Sequence, residues 1–310
     1  MSDTPAPVYR ALAMLENEYE PQLRRRSPYW RPRPPACWRE THLPTWNWVH
    51  PDYHEGLDMD LTVLDANGSF VSAASSATFA HGGLERTGAL PEYRKAPGYY
   101  RINTHGWSDP RIVSPLGGGD LAEKEWVAHP TVELLVSLSE AGYWPGVQIL
   151  DSWTCPDSVR FRKWATAVNN DRAEALHQVH ADPDHDRTEG AGDCPCKGCV
   201  WYKAVKDGYA MAVQMMRGPA QDGPVKSAVK RPDWYDTIHA QYAASTWRYV
   251  WKCVLAGYVP VAMGAVDEVT WDTLDFQAIH EAGLMKIDNT GISLGHLKVK
   301  ERIMPEAAAA

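Results

Sequence analysis

Leu61-Thr62-Val63-Leu64-Asp65-Ala66-Asn67-Gly68-Ser69-Phe70-Val71-Ser72-Ala73-Ala74 is the stretch on which the reading of the fold turns. Its first four residues form a short apolar run containing β-branched side chains, the mark of a buried strand. The run ends on a carboxylate, Asp65, and Ala66-Asn67-Gly68 then supplies turn chemistry before a new element begins at Ser69. A second stretch repeats this design. After Gly257 come Val259 to Ala265, then Val266-Asp267, then Glu268-Val269-Thr270-Trp271, which reads as a β-hairpin with Asp267 at or beside the turn. An aspartate at a turn is ordinarily turn chemistry. Two of them on the ends of rigid strands are also what phosphoryl transfer needs, because Mg²⁺ takes only one or two protein carboxylates and leaves its other positions to water and phosphate. Two such ions about 3.5–4 Å apart stabilise the attacking and leaving oxygens together.

Working outward, Tyr99–Asn103, Glu125–Val127 and Val147–Ser152 read as further strands. Helical spacing of apolar residues appears over 131–141, 158–180, 199–216 and 238–256. Strands and helices mixed in this way predict an α+β fold. The first 50 residues differ. After a short helical pattern at 9–19, Pro21, Arg24-Arg25-Arg26, Pro28, Pro32, Pro34 and Pro35 break regular structure. This arm either crosses the surface of the domain or, through Tyr29, Trp30, Arg31, Arg33, Trp38 and Arg39, tracks a phosphate backbone. Residues 305–310 read as a frayed tail, and no internal repeat is visible.

The composition, 44% hydrophobic and 23% charged, suits a globular core and argues against wholesale disorder. A net charge of −8 argues against a passive nucleic-acid coat, though not against a local basic groove. The longest uncharged apolar run, Cys253–Val266, contains Pro260 and is too short to span a bilayer. No basic segment followed by an apolar one opens the chain, so the expectation is a cytoplasmic protein with no membrane partner. No Gly-x-x-x-x-Gly-Lys-Ser/Thr loop is present, which argues against a P-loop nucleotidase. Fourteen tryptophans against four phenylalanines is the compositional oddity; such rings pack cores or stack on bases.

Three of the six cysteines crowd into Cys194-Pro195-Cys196-Lys197-Gly198-Cys199, with His177, His180 and His185 upstream. Three thiolates and one imidazole, His185 being the candidate chosen here, would complete a tetrahedral structural Zn²⁺ site. The alternative is three reduced thiols in a loop. Cys37, Cys155 and Cys253 read as small core residues.

With these residues in hand, Asp65-Ala66-Asn67-Gly68-Ser69-Phe70-Val71-Ser72 resembles motif A of family B DNA polymerases, with Asp65, Phe70 and Ser72 in register and Gly68 and Val71 departing from it. The resemblance implies that Asp65 binds the catalytic Mg²⁺ or Mn²⁺ and that Phe70 screens the sugar of an incoming dNTP. Val266-Asp267-Glu268-Val269 resembles the motif C hairpin, Asp267 matching its second aspartate and Ala265 replacing the first. Leu294-Gly295-His296-Leu297-Lys298 is similar to the Gly-x-x-Lys stretch that holds a primer end, which gives Lys298 a primer-binding role. Family B enzymes insert two antiparallel helices, the fingers, between these motifs. The helices at 158–180 and 199–216 stand in that position, which makes Arg160, Arg162, Lys203 and Lys206 candidate triphosphate ligands and lets Tyr209 pack over the nascent pair. Lys203…Asp207…Tyr209 approximates motif B, one residue short.

Through Asn67-Gly68-Ser69-Phe70, Ala80-His81-Gly82, Pro115-Leu116-Gly117 and Trp126…Pro130-Thr131-Val132, the chain is similar over residues 55–300 to the telomere-associated polymerase/primase-like proteins of linear actinobacterial replicons. The implied architecture is an α+β polymerase-like palm, an antiparallel sheet with helices packed on one face, carrying a two-helix fingers insertion. The implied divisions are an N-terminal arm (1–50), a first palm half with motif A (51–152), helical fingers with a Cys-rich turn (153–232), a second palm half with motif C (233–304) and the tail (305–310). The implied activity is a minimal DNA polymerase or primase without a proofreading exonuclease, acting on primer-template DNA and dNTPs, at DNA ends or on a protein primer, with a terminal or replication protein as partner. Two other readings stay open. One is a metal-dependent nuclease with an RNase H-like sheet, in which water is the nucleophile. The other is a palm-derived DNA-end or partner-binding module that has lost turnover with the change at Ala265.

Overall fold

A computed structural model describes residues 36–53, 59–90, 95–104, 106–118, 124–186, 193–217 and 231–304. The readings made for residues 1–35 and for the tail lie outside these residues.

A 3₁₀ turn, Ala36–Glu40, leads into β1 (Thr41–His42), β2 (Trp46–Val49) and β3 (Leu61–Ala66), followed by α1 (Ser69–Ser76). Next come β4 (Phe79–Ala80), β5 (Glu85–Arg86), β6 (Gly98–Asn103), β7 (Lys124–Ala128), α2 (His129–Glu140), β8 (Ile149–Thr154) and β9 (Ser158–Val159). Three long helices, α3 (Arg162–Ala181), α4 (Lys197–Met216) and α5 (Pro232–Leu255), precede β10 (Ala262–Ala265), β11 (Glu268–Asp272), α6 (Thr273–Glu281) and β12 (Leu297–Ile303). No helix among the described residues is long and apolar enough to cross a membrane.

The fold is α+β, as expected, and its longer strands form two five-stranded sheets. One sheet has the order β12-β3-β11-β10-β2 and is antiparallel throughout. The strands at 98–103, 124–128 and 149–154 belong instead to a second sheet, β1-β7-β6-β8-β5, whose β1–β7 pair is parallel. The reason lies in the pairing. β6 takes β7 and β8 as its two neighbours, and β3 takes β11 and β12, so neither strand has a free edge for the other.

Leu61 to Leu64 of β3 are all buried, and only Asp65 and Ala66 at its end are partly exposed. Leu64 is fully buried and shares a cluster with Met263, Val269, Trp271 and Leu297 from its own sheet, Trp247 and Val250 of α5, and Phe276 and Ile279 of α6. A second cluster joins Val71 of α1 to Trp164 and Leu176 of α3, Tyr209 of α4 and Trp234 of α5. The tryptophan excess is largely core: Trp107 packs against Trp144, Trp247 and Trp251 with ring centroids 5.5–6.1 Å apart. Two helix starts differ from the sequence expectation by more than two residues. Ser158-Val159 forms a strand with Phe79-Ala80, and the Phe161 ring stacks on Phe79 at 4.1 Å, so α3 begins only at Arg162. The helix expected from residue 238 begins at Pro232, where a missing N–H costs nothing.

Candidate functional site

Asp65 is the next-to-last residue of β3, so its side chain leaves the sheet on the face opposite Leu64. The turn that follows is pinned from behind. Asn67 is buried; its amide N–H donates to the His296 carbonyl (2.8 Å), its carbonyl accepts from Gly295 N–H (2.9 Å), and its Nδ2 donates to the Asp288 carbonyl (2.8 Å). Gly68 sits at φ +55°, a left-handed conformation that favours glycine, and a Cβ there would also push on the Leu294 methyl at 2.6 Å. Asp288 organises the loop that grips Asn67. Burial pushes its carboxyl up, but hydrogen bonds from Thr290 and Ser293 hold it well below the usual carboxylate range.

Asp267 arrives from the β10–β11 turn. Gly264 pairs with Glu268, leaving Ala265, Val266 and Asp267 as the loop, with Ala265 at φ 49°. β11 pairs with β3 in the register Val269↔Leu64, and one further step sets Glu268 beside Asp65. On the other side β12 places Lys298 opposite Asp65, with Nζ 3.4 Å from Asp65 Oδ2. Lys300 pairs with Glu268. Burial, reinforced by a hydrogen bond to Asp65 and the charges of Asp65 and Glu268, raises the Asp267 carboxyl to about 7, while Lys300 pulls it down. The neighbouring Asp65 charge makes the ionised form of Asp267 costly, a cost that a cation between the two carboxylates would relieve. A proton can fill that role, and so can a divalent ion.

The other sequence-predicted residues distribute unevenly. Phe70 is half-buried on α1 and packs against His239 (5.0 Å) and Tyr242 (5.8 Å) of α5. Tyr209 is buried and its hydroxyl is pushed up to about 12, chiefly by burial; Asp65 is among the charges it senses, which puts it near the acid pair. Arg160, Arg162, Lys203 and Lys206 are exposed, and Lys203 lies 3.8 Å from Asp207 one helical turn away. Lys298 is thus brought to the acid pair, and the structure gives no such contact for Lys203.

Three residues were missed or underweighted. Lys300 is the extra residue of a bulge between Val299 and Glu301 in β12, so strand alternation gave no signal for it. Asn67 offered only a turn signal. Arg172 is buried on α3, donating through Nη1 to the Ile292 carbonyl at 3.1 Å and through Nη2 to that of Gly291. Its signal was a guanidinium among Val168, Ala175, Leu176 and Val179, on the apolar face of a helix.

The cysteine cluster forms a second centre where α3 meets α4. His185 Nδ1 lies 3.3, 3.9 and 3.4 Å from the sulfurs of Cys194, Cys196 and Cys199, and the four donor atoms all fall within 4.8 Å of one another. Zn–S bonds of about 2.3 Å and Zn–N bonds of about 2.0 Å imply N···S edges near 3.5 Å in a tetrahedron, so the donor set fits that ion. The His185 hydrogen bond pulls the Cys194 thiol down to about 6. Cys196 caps α4, its sulfur accepting from Cys199 N–H (3.3 Å), and Asp182 accepts from Gly198 N–H (3.1 Å). A Cβ at Gly198 would stand 2.7 Å from Val179 Cα, so glycine is what lets the two helix ends meet.

No protein-family model matches this sequence, and neither does any curated protein. Among solved structures the fold is similar to Phi29 DNA polymerase complexed with primer-template DNA and incoming nucleotide substrates, with a TM-score of 0.61 at 10% identity over 97% of this chain. It is likewise similar to the orthorhombic crystal form of Phi29 DNA polymerase (TM-score 0.59, 9% identity, 97% of this chain) and to its complex with single-stranded DNA (0.55, 10%, 98%). The chain spans about half of these polymerases, 53–54% of their length. At such identity the likeness is one of fold: this chain has a polymerase-like α+β fold.

Proposed function

We propose that the protein is a metal-dependent nucleotidyltransferase of the DNA polymerase type, acting on primer-template DNA and dNTPs. The observation that carries this reading is the meeting of Asp65 and Asp267, from a strand end and a hairpin turn, on a fold similar to a DNA polymerase. Mg²⁺ or Mn²⁺ held by the two carboxylates would supply charge neutralisation for the triphosphate and acidify the attacking hydroxyl. The chain's own residues do the positioning. Sheet register fixes the two carboxylates, and the loop around Asp288 keeps the Asn67 turn rigid behind them. Lys298, at the rim beside Asp65, binds a primer phosphate. Phe70, braced by His239 and Tyr242, screens the sugar.

In this reading the palm is built from residues 51–152 and 233–304, and residues 153–232 are the fingers, with Arg160, Arg162, Lys203 and Lys206 reaching the triphosphate when α3 and α4 close over it. Tyr209 packs behind them. Cys194, Cys196, Cys199 and His185 hold a structural Zn²⁺ that ties the α3 and α4 ends together.

Primer extension with Mg²⁺ or Mn²⁺ tests the reading. Asp65→Ala and Asp267→Ala should each reduce incorporation at least about 1000-fold, the scale on which losing preorganised charge stabilisation acts. Incorporation that survives both substitutions overturns the assignment, and shortening of the primer turns it into a nuclease.

A further inference from the structure

The face of the sheet opposite Asp65 holds a second recess. A cavity of about 290 Å³ lies between α1, α5 and the segment 286–297, floored by Ala66 and Leu297. These two residues pair across β3 and β12 one step from the Asp65–Lys298 pair, so alternation puts the cavity behind the acid pair. Ser69, Ser72 and Ser76 line it from one face of α1, spaced three and four residues apart. Tyr242, Ser245 and Tyr249 line it from α5 with the same spacing. Lys286 supplies a cation at the exposed edge, and no carboxylate occurs among the described lining residues. Tyr242 is 4% exposed, yet its buried hydroxyl has no hydrogen-bond partner among the described residues. Native proteins seldom leave such a group unpaired unless something else satisfies it.

Each feature selects a ligand property. A single cation without a carboxylate favours one anionic group. Ser76 donates to the Ser72 and Ala73 carbonyls and Ser245 accepts from Gln241, but each hydroxyl oxygen keeps a lone pair. With Ser69 and Ser72, the rows suit a sugar or the polar edge of a heterocycle. The two tyrosine rings offer flat apolar walls. The volume lies at the small end of ligand pockets, about 300 Å³. We propose that this cavity is a binding site for a nucleoside monophosphate, with the phosphate at Lys286, the sugar on the serine row and the base against Tyr242 and Tyr249. The site lies on the opposite face of the sheet from the acid pair and its argument does not use the polymerase reading, although Tyr242 serves both by also packing against Phe70.

Calorimetric titration of the full chain with adenosine 5′-monophosphate, without added divalent ions, is the test. Saturable binding is expected, about tenfold weaker in both Lys286→Gln and Tyr242→Phe, and unchanged in a protein carrying Asp65→Asn and Asp267→Asn. Adenosine and inorganic phosphate, titrated separately, should each bind more weakly than the nucleotide. Lack of binding, binding indifferent to both Lys286→Gln and Tyr242→Phe, or binding lost with the acid-pair substitutions overturns the site. Phosphate binding as tightly as the nucleotide overturns the nucleoside assignment. Lys286 is exposed, so its variant tests the site even if Tyr242→Phe perturbs folding.

Discussion

The acid pair and the cysteine knuckle are both clusters of side chains of the kinds that can hold a metal, and they are built on opposite plans. Asp65 and Asp267 come from distant parts of the chain and meet only because β3 and β11 pair in one register. The knuckle draws its four donors from a single segment, His185 to Cys199. The Asp65 side chain is 22% exposed and lies in contact with Lys298, whose side chain is 35% exposed, whereas the three cysteines are 0–7% exposed. Hard oxygen ligands at an open rim with lysines alongside suit an ion that is exchanged along with a substrate. Three buried thiols and a half-buried imidazole suit an ion that stays.

The largest expected effect separates the two centres by metal. Purified protein should carry one zinc per chain, lost in Cys199→Ser. Because a bound structural ion contributes folding energy directly, stripping it should cost about 4 kcal/mol, lowering the melting temperature by roughly 10 °C. Withdrawal of Mg²⁺ should leave the melting temperature almost unchanged. Equal thermal responses to both removals would erase the distinction between a resident and an exchangeable ion, and a protein without zinc would reject the knuckle as a metal centre.

A smaller effect asks what holds the acid end in place. Arg172 lies between α3 and the Gly291–Ile292 carbonyls, on the loop that clamps Asn67. Arg172→Met keeps the bulk of the side chain but leaves those carbonyls without their donor, a loss of about 2–3 kcal/mol. Urea denaturation should show the lower midpoint, with nucleotide incorporation falling at the same time because the Asp65 turn loses its backing. If stability drops while incorporation stays at the wild-type level, Arg172 supports only the helical part of the molecule and the coupling to the acid end is removed.

The same contrast explains what could be read from the sequence. The knuckle was legible because its ligands are local: Cys-x-Cys-x-x-Cys with a nearby histidine needs no tertiary information. Asp65 and Asp267 were legible because each ends a strand at a turn, so local pattern marked them individually. Their partnership came from family resemblance. Lys300 and Glu268 were harder, because a salt bridge between strands depends on register, which alternation does not encode. The division into two sheets was illegible for the same reason. The strands at 98–103 and 149–154 were visible as strands, but nothing in their sequences says that they pair with each other and not with β3. Arg172 was invisible as a positioning residue because its partners are backbone carbonyls more than a hundred residues away.

The smallest effect concerns the cost of keeping the acid pair together. The Asp267 carboxyl is held at about 7 in the folded chain, against about 3.9 for a free aspartate. A carboxyl raised in this way binds its proton more tightly folded than unfolded. Its contribution to stability is therefore complete below about pH 4 and is lost as pH rises through about 7. Without divalent ions, wild type should lose about 1–2 kcal/mol between pH 5 and pH 8 from this source, a figure reduced for the partial exposure of the hairpin turn. Asp267→Asn cannot titrate, so it should match wild type at pH 5 and exceed its stability at pH 8 by the same amount, measured by urea denaturation. Mg²⁺ should close the gap at pH 8 by stabilising only the chain that can bind it. The substitution expected to abolish incorporation would then also relieve strain, as is usual where charge is gathered for catalysis at the expense of the fold. Equal stabilities at both pH values would mean that Asp65 and Asp267 do not burden each other, and the acid pair would lose its most direct physical sign of being built for a cation.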